Sequence, residues 1–324
     1  MTSAHPRIAA VVIGRNEGAR LRACLASLED ASPVIYVDSG STDGSAEHAR
    51  STGARVIDLD TSQPFTAARA RNAGLAALDR AETDLVQLVD GDCTVEPGWL
   101  ATASAYLKAH PDTAIACGRR REDHPEASLY NRLCDIEWNT PPGDTSACGG
   151  DILARLSALD AVGLYRDDLI AGEEPELCVR LRQQGWKIHR LDAPMTRHDA
   201  RMTRLGQWWT RTRRAGHAFA EGAHLHGAPP ERHWVAETRR ALLWGALLPL
   251  AILIAALVHP AALLLTLIYP LQVARLAARR GLASRAAWEW AAFTVLGKFA
   301  EAQGALQFHA SRLLRRRATL IEYR

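Results

Sequence analysis

From residue 8 to residue 109 the chain alternates short apolar runs of β character with amphipathic helical stretches, a rhythm that leaves few folds open. Ile8 to Ile13 is followed by helical spacing near Ala19 to Leu28, Val34 to Val37 by Ser45 to Ser51, and Arg55 to Leu59 by Ala67 to Leu78. Leu85 to Val89 and a stretch near Gly98 to Ala109 complete the series. Strands that feed helices in this way predict an α/β architecture, a mainly parallel sheet flanked by helices. In open sheets of this kind ligands bind beyond the carboxyl ends of the strands. Polar clusters stand at three of those ends: Arg15-Asn16-Glu17 after the first strand, Asp38-Ser39-Gly40-Ser41-Thr42-Asp43-Gly44 after the second, and Asp90-Gly91-Asp92 after the fourth. Three separate loops therefore converge on one edge.

Asp90-Gly91-Asp92 sets two carboxylates at the exit of a buried strand, with a glycine that permits the turn between them. Such a pair suits a divalent cation and a diphosphate, or it is an ordinary solvated turn. Asn16-Glu17-Gly18 also fits a simple helix start, and Ser41 or Asp43 an ordinary N-cap. Asp38 ends its strand ahead of those caps, free to accept from a base N–H or a ribose hydroxyl. Arg69, Arg71 and Asn72 open a helical stretch, either as surface residues or as donors for a phosphate or base. Further on, Gly149-Gly150-Asp151 precedes a second acidic group, Glu173, Glu174 and Glu176 around Pro175. First-turn acids and a Glu176–Arg180 pair account for part of that group. Three acids at one helix mouth also repel each other, and a carboxylate with a raised pKa is what a general base needs.

The net charge of +3 hides a division. Residues 1–196 carry 20 Lys+Arg and 29 Asp+Glu, a balance of −9, whereas residues 197–324 carry 19 and 7, a balance of +12. The basic half also holds two apolar stretches, Leu242 to Val258 and Ala261 to Leu276, broken at His259-Pro260 and bracketed by arginines on both outer flanks. About 17 helical residues reach roughly 25 Å, a marginal span of a bilayer core. Arginine on both flanks suits a spanning or re-entrant hairpin with both ends cytoplasmic; the alternative is a buried helical pair. Because the arginines flank apolar runs and form no continuous basic face, anionic lipid is expected and nucleic acid is not. Gln207-Trp208-Trp209 with Arg211, Arg213 and Arg214, and the aromatic stretch from Trp288 to Phe299 ahead of Arg312 to Arg317, predict interfacial amphipathic helices or helices packed on a domain. The short apolar stretch after Met1 to Arg7 does not fit a signal peptide. Six dispersed cysteines indicate neither a zinc site nor a disulfide framework.

Over roughly the first 200 residues the sequence resembles the family 2 inverting glycosyltransferases, which share the GT-A nucleotide-sugar-binding fold. The residues that carry the resemblance are Arg15-Asn16-Glu17, Val37 to Gly44, Ala70-Arg71-Asn72-Ala73-Gly74-Leu75, Asp90-Gly91-Asp92, Pro97-Gly98-Trp99, and Gly172-Glu173-Glu174 with Leu177 to Leu181. The resemblance implies Asp38 on the nucleotide base, Asp90 near the ribose or metal, and Asp92 on a Mg²⁺ or Mn²⁺ that bridges the diphosphate. It also implies Glu174 as general base on the acceptor hydroxyl. Two departures stand out: Ser39 replaces a common second Asp, and Glu174 replaces the Asp of the usual Glu-Asp pair, so Glu173 is a second candidate base. His198 resembles a histidine that in some members lies near the metal. Gln207-Trp208-Trp209 is similar to a motif of processive polysaccharide synthases, where it helps hold the acceptor, but its order of residues differs and only a hairpin follows.

The expectation is thus a GT-A catalytic domain over residues 1–200, interfacial helices over 201–240, a membrane hairpin over 241–278 and a basic helix over 279–324. Arg15, Asn16, Glu17, Asp38, Ser39, Arg71, Asn72 and Asp90 are expected to meet the nucleotide, with Asp92, Asp90 and His198 at the metal. Gly149, Gly150, Asp151, Gln207, Trp208 and Trp209 are expected near the acceptor. The predicted reaction moves one sugar from a nucleotide diphosphate, UDP-linked, to a lipid-linked or saccharide acceptor in envelope or exopolysaccharide assembly at the cytoplasmic membrane. A catalytically silent sugar-nucleotide-binding protein and a nucleotidyltransferase-like enzyme are the alternatives. A dehydrogenase is disfavoured because no Gly-x-Gly-x-x-Gly follows the first strand.

Overall fold

The computed structural model describes residues 6–315, and the chain divides into two compact units, residues 1–201 and 202–324. In the first unit, strands β1 (Ile8–Gly14), β2 (Val34–Asp38), β3 (Arg55–Asp58) and β4 (Leu85–Asp90) alternate with helices α1 (Ala19–Ala26), α2 (Ser45–Ser51) and α3 (Ala67–Ala76). Then come β5 (Cys93–Val95), α4 (Trp99–Ala109), β6 (Thr113–Glu122), α5 (Leu129–Trp138), β7 (Gly143–Asp144), β8 (Ile152–Arg155), α6 (Leu156–Ala161), α7 (Glu173–Gln183) and β9 (Lys187–His198). Among the described residues the strands form one sheet in the order β3-β2-β1-β4-β8-β6-β9-β5, with β7 paired to β9.

The sheet is mixed. β1 runs parallel to β2 and β4, and β2 to β3, as the strand–helix alternation predicts. Beyond β4 the chain returns through β8, antiparallel to both β4 and β6, while β6 and β9 are parallel to each other. β1 lies between two strands with α3 packed on it, and Ala9 to Val12 are fully buried, which explains an uninterrupted apolar run where a half-exposed strand would alternate. α3 sits so close to the sheet that an added Cβ at Gly74 would overlap Val11. The parallel register sets Gly14 beside Asp38 and Ile13 beside Asp90, bringing the exits of β1, β2 and β4 level with one another.

The second unit is helical: α8 (Leu205–His226), α9 (Val235–Leu242), a π turn over Leu243–Leu247, α10 (Leu248–Val258), a 3₁₀ segment over Pro260–Leu267, α11 (Ile268–Arg280) and α12 (Arg285–Leu313). α8 and α12 pack through small residues, since a Cβ at Gly216 or Gly304 would collide with the backbone of the opposite helix. Val235–Val258 and Pro260–Arg280 are long and apolar enough to cross a membrane, and only 11% and 6% of their apolar windows are buried. Leu257 and Val258, at the bend, are 88% and 87% exposed. These helices therefore bury little inside the unit, unlike a core pair. Of the basic run at the C-terminus, Arg316 and Arg317 lie outside the described residues, as does the rest of 316–324.

Candidate active site

The exits of β1, β2 and β4 form a tightly bonded edge. Asp38, buried at the end of β2, accepts from Tyr36 Oη at 2.9 Å and from the backbone N–H groups of Gly40 and Ser41 at 3.0 and 2.7 Å. The carboxylate therefore has a local duty the sequence did not reveal: it builds the loop that follows it. Asn16, in the left-handed region at φ 57°, donates its N–H to Ser41 Oγ and accepts from Thr42 N–H at 2.7 Å, tying the first loop to the second. Ser39 Oγ is buried with no hydrogen-bond partner, a polar atom left facing this edge. Glu17 pairs with Arg20, whose guanidinium also reaches the Asp199 carbonyl at 3.0 Å. Arg15 lies in the same loop, partly buried.

Gly91 follows β4 and donates to the Ile13 carbonyl at 2.8 Å, where a side chain would crowd that oxygen. The turn separates Asp90 from Asp92. Asp90 meets Arg71 Nη2 at 2.8 Å and Arg120 Nη2 at 3.4 Å, and Arg71, itself buried, also meets Glu173 at 3.1 Å and touches Glu174. One guanidinium thus joins the aspartate at the exit of β4 to both glutamates at the start of α7. Gly150 makes room for it, because a Cβ there would lie 2.5 Å from Arg71 Nη2 and 3.2 Å from Asp90 Oδ2. Gly149 precedes it on the same loop. Burial pushes the Glu174 pKa up to about 8 against the pull of Arg71, whose charge is shared, and Glu173 and Asp90 add to the rise. Asp90 is likewise raised by burial, with the two arginines opposing.

Asp92 points away from this cluster. Its Oδ2 lies 3.4 Å from His198 Nε2 and 3.9 Å from Arg20, beside a cleft of about 170 Å³ lined by Arg20, Asp92, Thr94, Asp123, Arg197 and Asp199 among others. Burial works to raise the pKa of Asp92, but His198, Arg20 and Arg120 prevail and hold it below the ordinary carboxylate range. His198 is lowered by burial and raised more strongly by Asp92, to about 9. Asp92, Cys93 and His198 place their ligand atoms within 4.8 Å of one another. The Cys93 thiol is buried, which drives its pKa far up, so the donors there are the Asp92 carboxylate and, once a cation displaces its Nε2 proton, the His198 imidazole. Hard oxygen with one imidazole fits Mg²⁺ or Mn²⁺. Asp90 is already engaged by two arginines.

Other expected site residues are committed elsewhere. Asn72 donates to the Tyr165 carbonyl and Asp167 and accepts from Tyr165 N–H, clipping α3 to the loop before α7. Asp151 has no exposed side-chain surface; it accepts from Asp90 N–H at 3.2 Å, Arg120 at 2.8 Å and Thr196 Oγ1 at 2.7 Å, and so faces the interior beneath β4. In the helical unit Gln207 accepts from the N–H groups of Thr203 and Arg204 and caps α8, Trp208 packs edge-on to Phe293, and Trp209 Nε1 donates to Gln303. Sequence reasoning missed Arg120 and Arg20. The only signal for Arg120 was a charged run, Arg119 to Arg121, closing an otherwise apolar strand.

A loop-built acidic edge on a mixed sheet has known relatives. Residues 10–147 match the family model described as Glycosyl transferase family 2. The chain carries a glycosyltransferase family 2 domain over these residues. It is 30% identical over 247 residues to the pre-mycofactocin glycosyltransferase of Mycobacterium tuberculosis, in strains CDC 1551 / Oshkosh and ATCC 25618 / H37Rv, covering 69% of this chain. The chain spans about half the length of these curated relatives, 51%. In fold the chain is similar to the mannosyltransferase PcManGT from Pyrobaculum calidifontis, solved with GDP-Man and Mn²⁺, at 20% identity and a TM-score of 0.65 over 94% of this chain and 88% of that one. It is also similar to S. aureus TarS 1-349 with UDP-GlcNAc, at 13% identity and a TM-score of 0.52 over 96% and 92%. The likeness establishes the GT-A fold.

Proposed function

We propose that the chain is a metal-dependent inverting glycosyltransferase that moves one sugar from a nucleotide-diphosphate donor to a lipid-linked or saccharide acceptor. The observation that carries this reading is the Arg71 junction, which holds Asp90 and the Glu173–Glu174 pair in one cluster at the strand exits. Glu174, buried with a raised pKa, suits a general base that takes the acceptor proton during a single in-line displacement, which inverts the anomeric carbon. Glu173 is the second candidate. Asp38, the unpartnered Ser39 Oγ and the loop of Arg15, Asn16 and Glu17 form the edge assigned to the base and ribose. Asp92 and His198 are the residues that would hold Mg²⁺ or Mn²⁺, and when bound the cation supplies charge neutralisation for the diphosphate leaving group. The fold relatives were solved with GDP-Man and UDP-GlcNAc, so a sugar on a nucleoside diphosphate is the donor chemistry they share.

The apolar hairpin supports membrane lipid as a partner and an acceptor carried by lipid. Arginines on both outer flanks favour cytoplasmic ends, and with them a catalytic unit facing the cytoplasm. Screening membranes that contain the chain against a panel of nucleotide sugars, read as released nucleotide, tests the activity. Release from no donor, or equal release by the Glu174→Gln variant, refutes the assignment.

A further inference from the structure

His198 stands in register between two carboxylates that approach from opposite sides of β9. β5 pairs with β9 so that Cys93 is opposite His198, which sets the preceding Asp92 at Nε2. β6 pairs on the other side with Glu122 opposite His198, and Glu122 Oε2 lies 3.8 Å from Nδ1. The two acids differ in setting. Asp92 keeps 24% of its side chain exposed, whereas Glu122 keeps none. A carboxylate so buried must be bonded, and Glu122 accepts from Asn131 Nδ2 at 2.9 Å and from the backbone N–H groups of His124 and Ala200 at 3.3 and 3.2 Å. Its Oε2 is the carboxylate oxygen near His198 Nδ1, short of a hydrogen bond at 3.8 Å, and Nδ1 is buried with no hydrogen-bond partner. Trp138 closes edge-on over the imidazole at 4.9 Å and limits its swing.

We propose that Glu122 is a positioning residue for the diphosphate half of the site: when a cation displaces the Nε2 proton of His198, Glu122 accepts the remaining proton on Nδ1 and holds the Nε2 lone pair on the side of Asp92. An imidazole that ligates through one nitrogen needs its other N–H held, and outer-shell carboxylates that do so govern metal affinity by about 10–100-fold. Glu122→Gln keeps the size and an oxygen for Asn131 but can present an amide N–H to Nδ1, which favours the proton on Nε2. The inference rests on the metal reading above, so the test reads metal directly.

Mn²⁺ binding is measured by electron paramagnetic resonance on the solubilised full chain without donor, for the unaltered protein, E122Q, H198Q and the double variant, with thermal unfolding alongside. The expected result is a 10–100-fold loss of Mn²⁺ affinity in E122Q, with the double variant no weaker than H198Q because Glu122 acts through His198. Unchanged affinity in E122Q, or losses that add in the double variant, overturns the inference while leaving the metal reading in place. No Mn²⁺ binding by the unaltered chain overturns both. A second readout needs no Glu122 variant: ¹⁵N-histidine spectra of the Mg²⁺-loaded chain, with His198 identified by its absence in H198Q, must show its proton on Nδ1. A proton on Nε2 overturns the inference however E122Q folds.

Discussion

The strongest test of the site is the pH dependence that Glu174 imposes on both activity and stability. With a pKa near 8 in the folded chain, the carboxylate form is about one tenth populated at pH 7 and about nine tenths at pH 9, so kcat/KM, which reports the free enzyme, rises roughly tenfold between them. Glu174→Gln removes that limb and lowers transfer by a factor on the order of 100 or more while donor affinity stays. Stability moves the other way. The folded chain retains the Glu174 proton up to about 8, whereas the unfolded chain releases it near 4.5, so this group favours folding fully below 4.5 and loses that contribution as pH rises to 8. Up to about 1.4 kcal/mol per pH unit is lost across that window. The variant, with no proton to lose, gains in melting temperature over the unaltered chain from pH 5 to pH 8, and the gap then levels. Steady-state kinetics from pH 6 to 9.5 and thermal unfolding at matched pH measure both curves. A kcat/KM limb with its midpoint below 6, or a melting difference that does not widen with pH, refutes the placement of a buried protonated base at α7.

Asp92→Ala should abolish turnover in a chain that still folds, with some loss of melting temperature because the ion pair with His198 is removed; full activity in EDTA or in this variant sinks the metal assignment. Gly150→Ala drives a methyl group into Arg71 and Asp90 and should cost about 1–3 kcal/mol of stability together with most of the transfer rate, and a variant with unaltered kinetics would show that the Arg71 junction tolerates displacement. The hairpin over Leu242 to Leu276 should keep the full chain in the membrane through a carbonate wash, because its apolar windows are almost unburied within the unit; release by carbonate returns it to a packed helical pair.

The strand exits were legible because each strand is an apolar run, broken only by Gln87 in β4, with a polar cluster at its end, a pattern that one buried parallel layer enforces. What those polar residues do to one another was not legible. Asp38 reads as a free acceptor until its loop folds back and two N–H groups close on it. Asp151 follows a Gly-Gly pair and reads as part of the acceptor region, yet the antiparallel return of β8 carries it under β4, against Arg120 from a strand paired with neither β1 nor β4. No local spacing encodes that meeting, because the partners lie 31 and 61 residues away. The aromatic stretch of α12 was read as interfacial or packed; Gly304, which lets α8 approach, was the unread signal for packing.

The division of labour between the two halves of the site follows from that hidden wiring. Desolvation raises the pKa of both Asp92, which is half-buried, and Glu174, which is buried. Asp92 instead faces His198, Arg20 and Arg120 with no second acid at bonding distance, so it stays ionised and able to ligate. Glu174 shares its one guanidinium with Glu173 and Asp90, so a single positive charge is spread over three acids and burial lets Glu174 keep its proton. Carboxylates whose surroundings push their pKa values apart mark which one serves as charged ligand and which as proton acceptor. Arg120 keeps the halves distinct: it takes up the second oxygen of Asp90 and Oδ2 of Asp151, which leaves Arg71 to the first oxygen of Asp90 and the two glutamates.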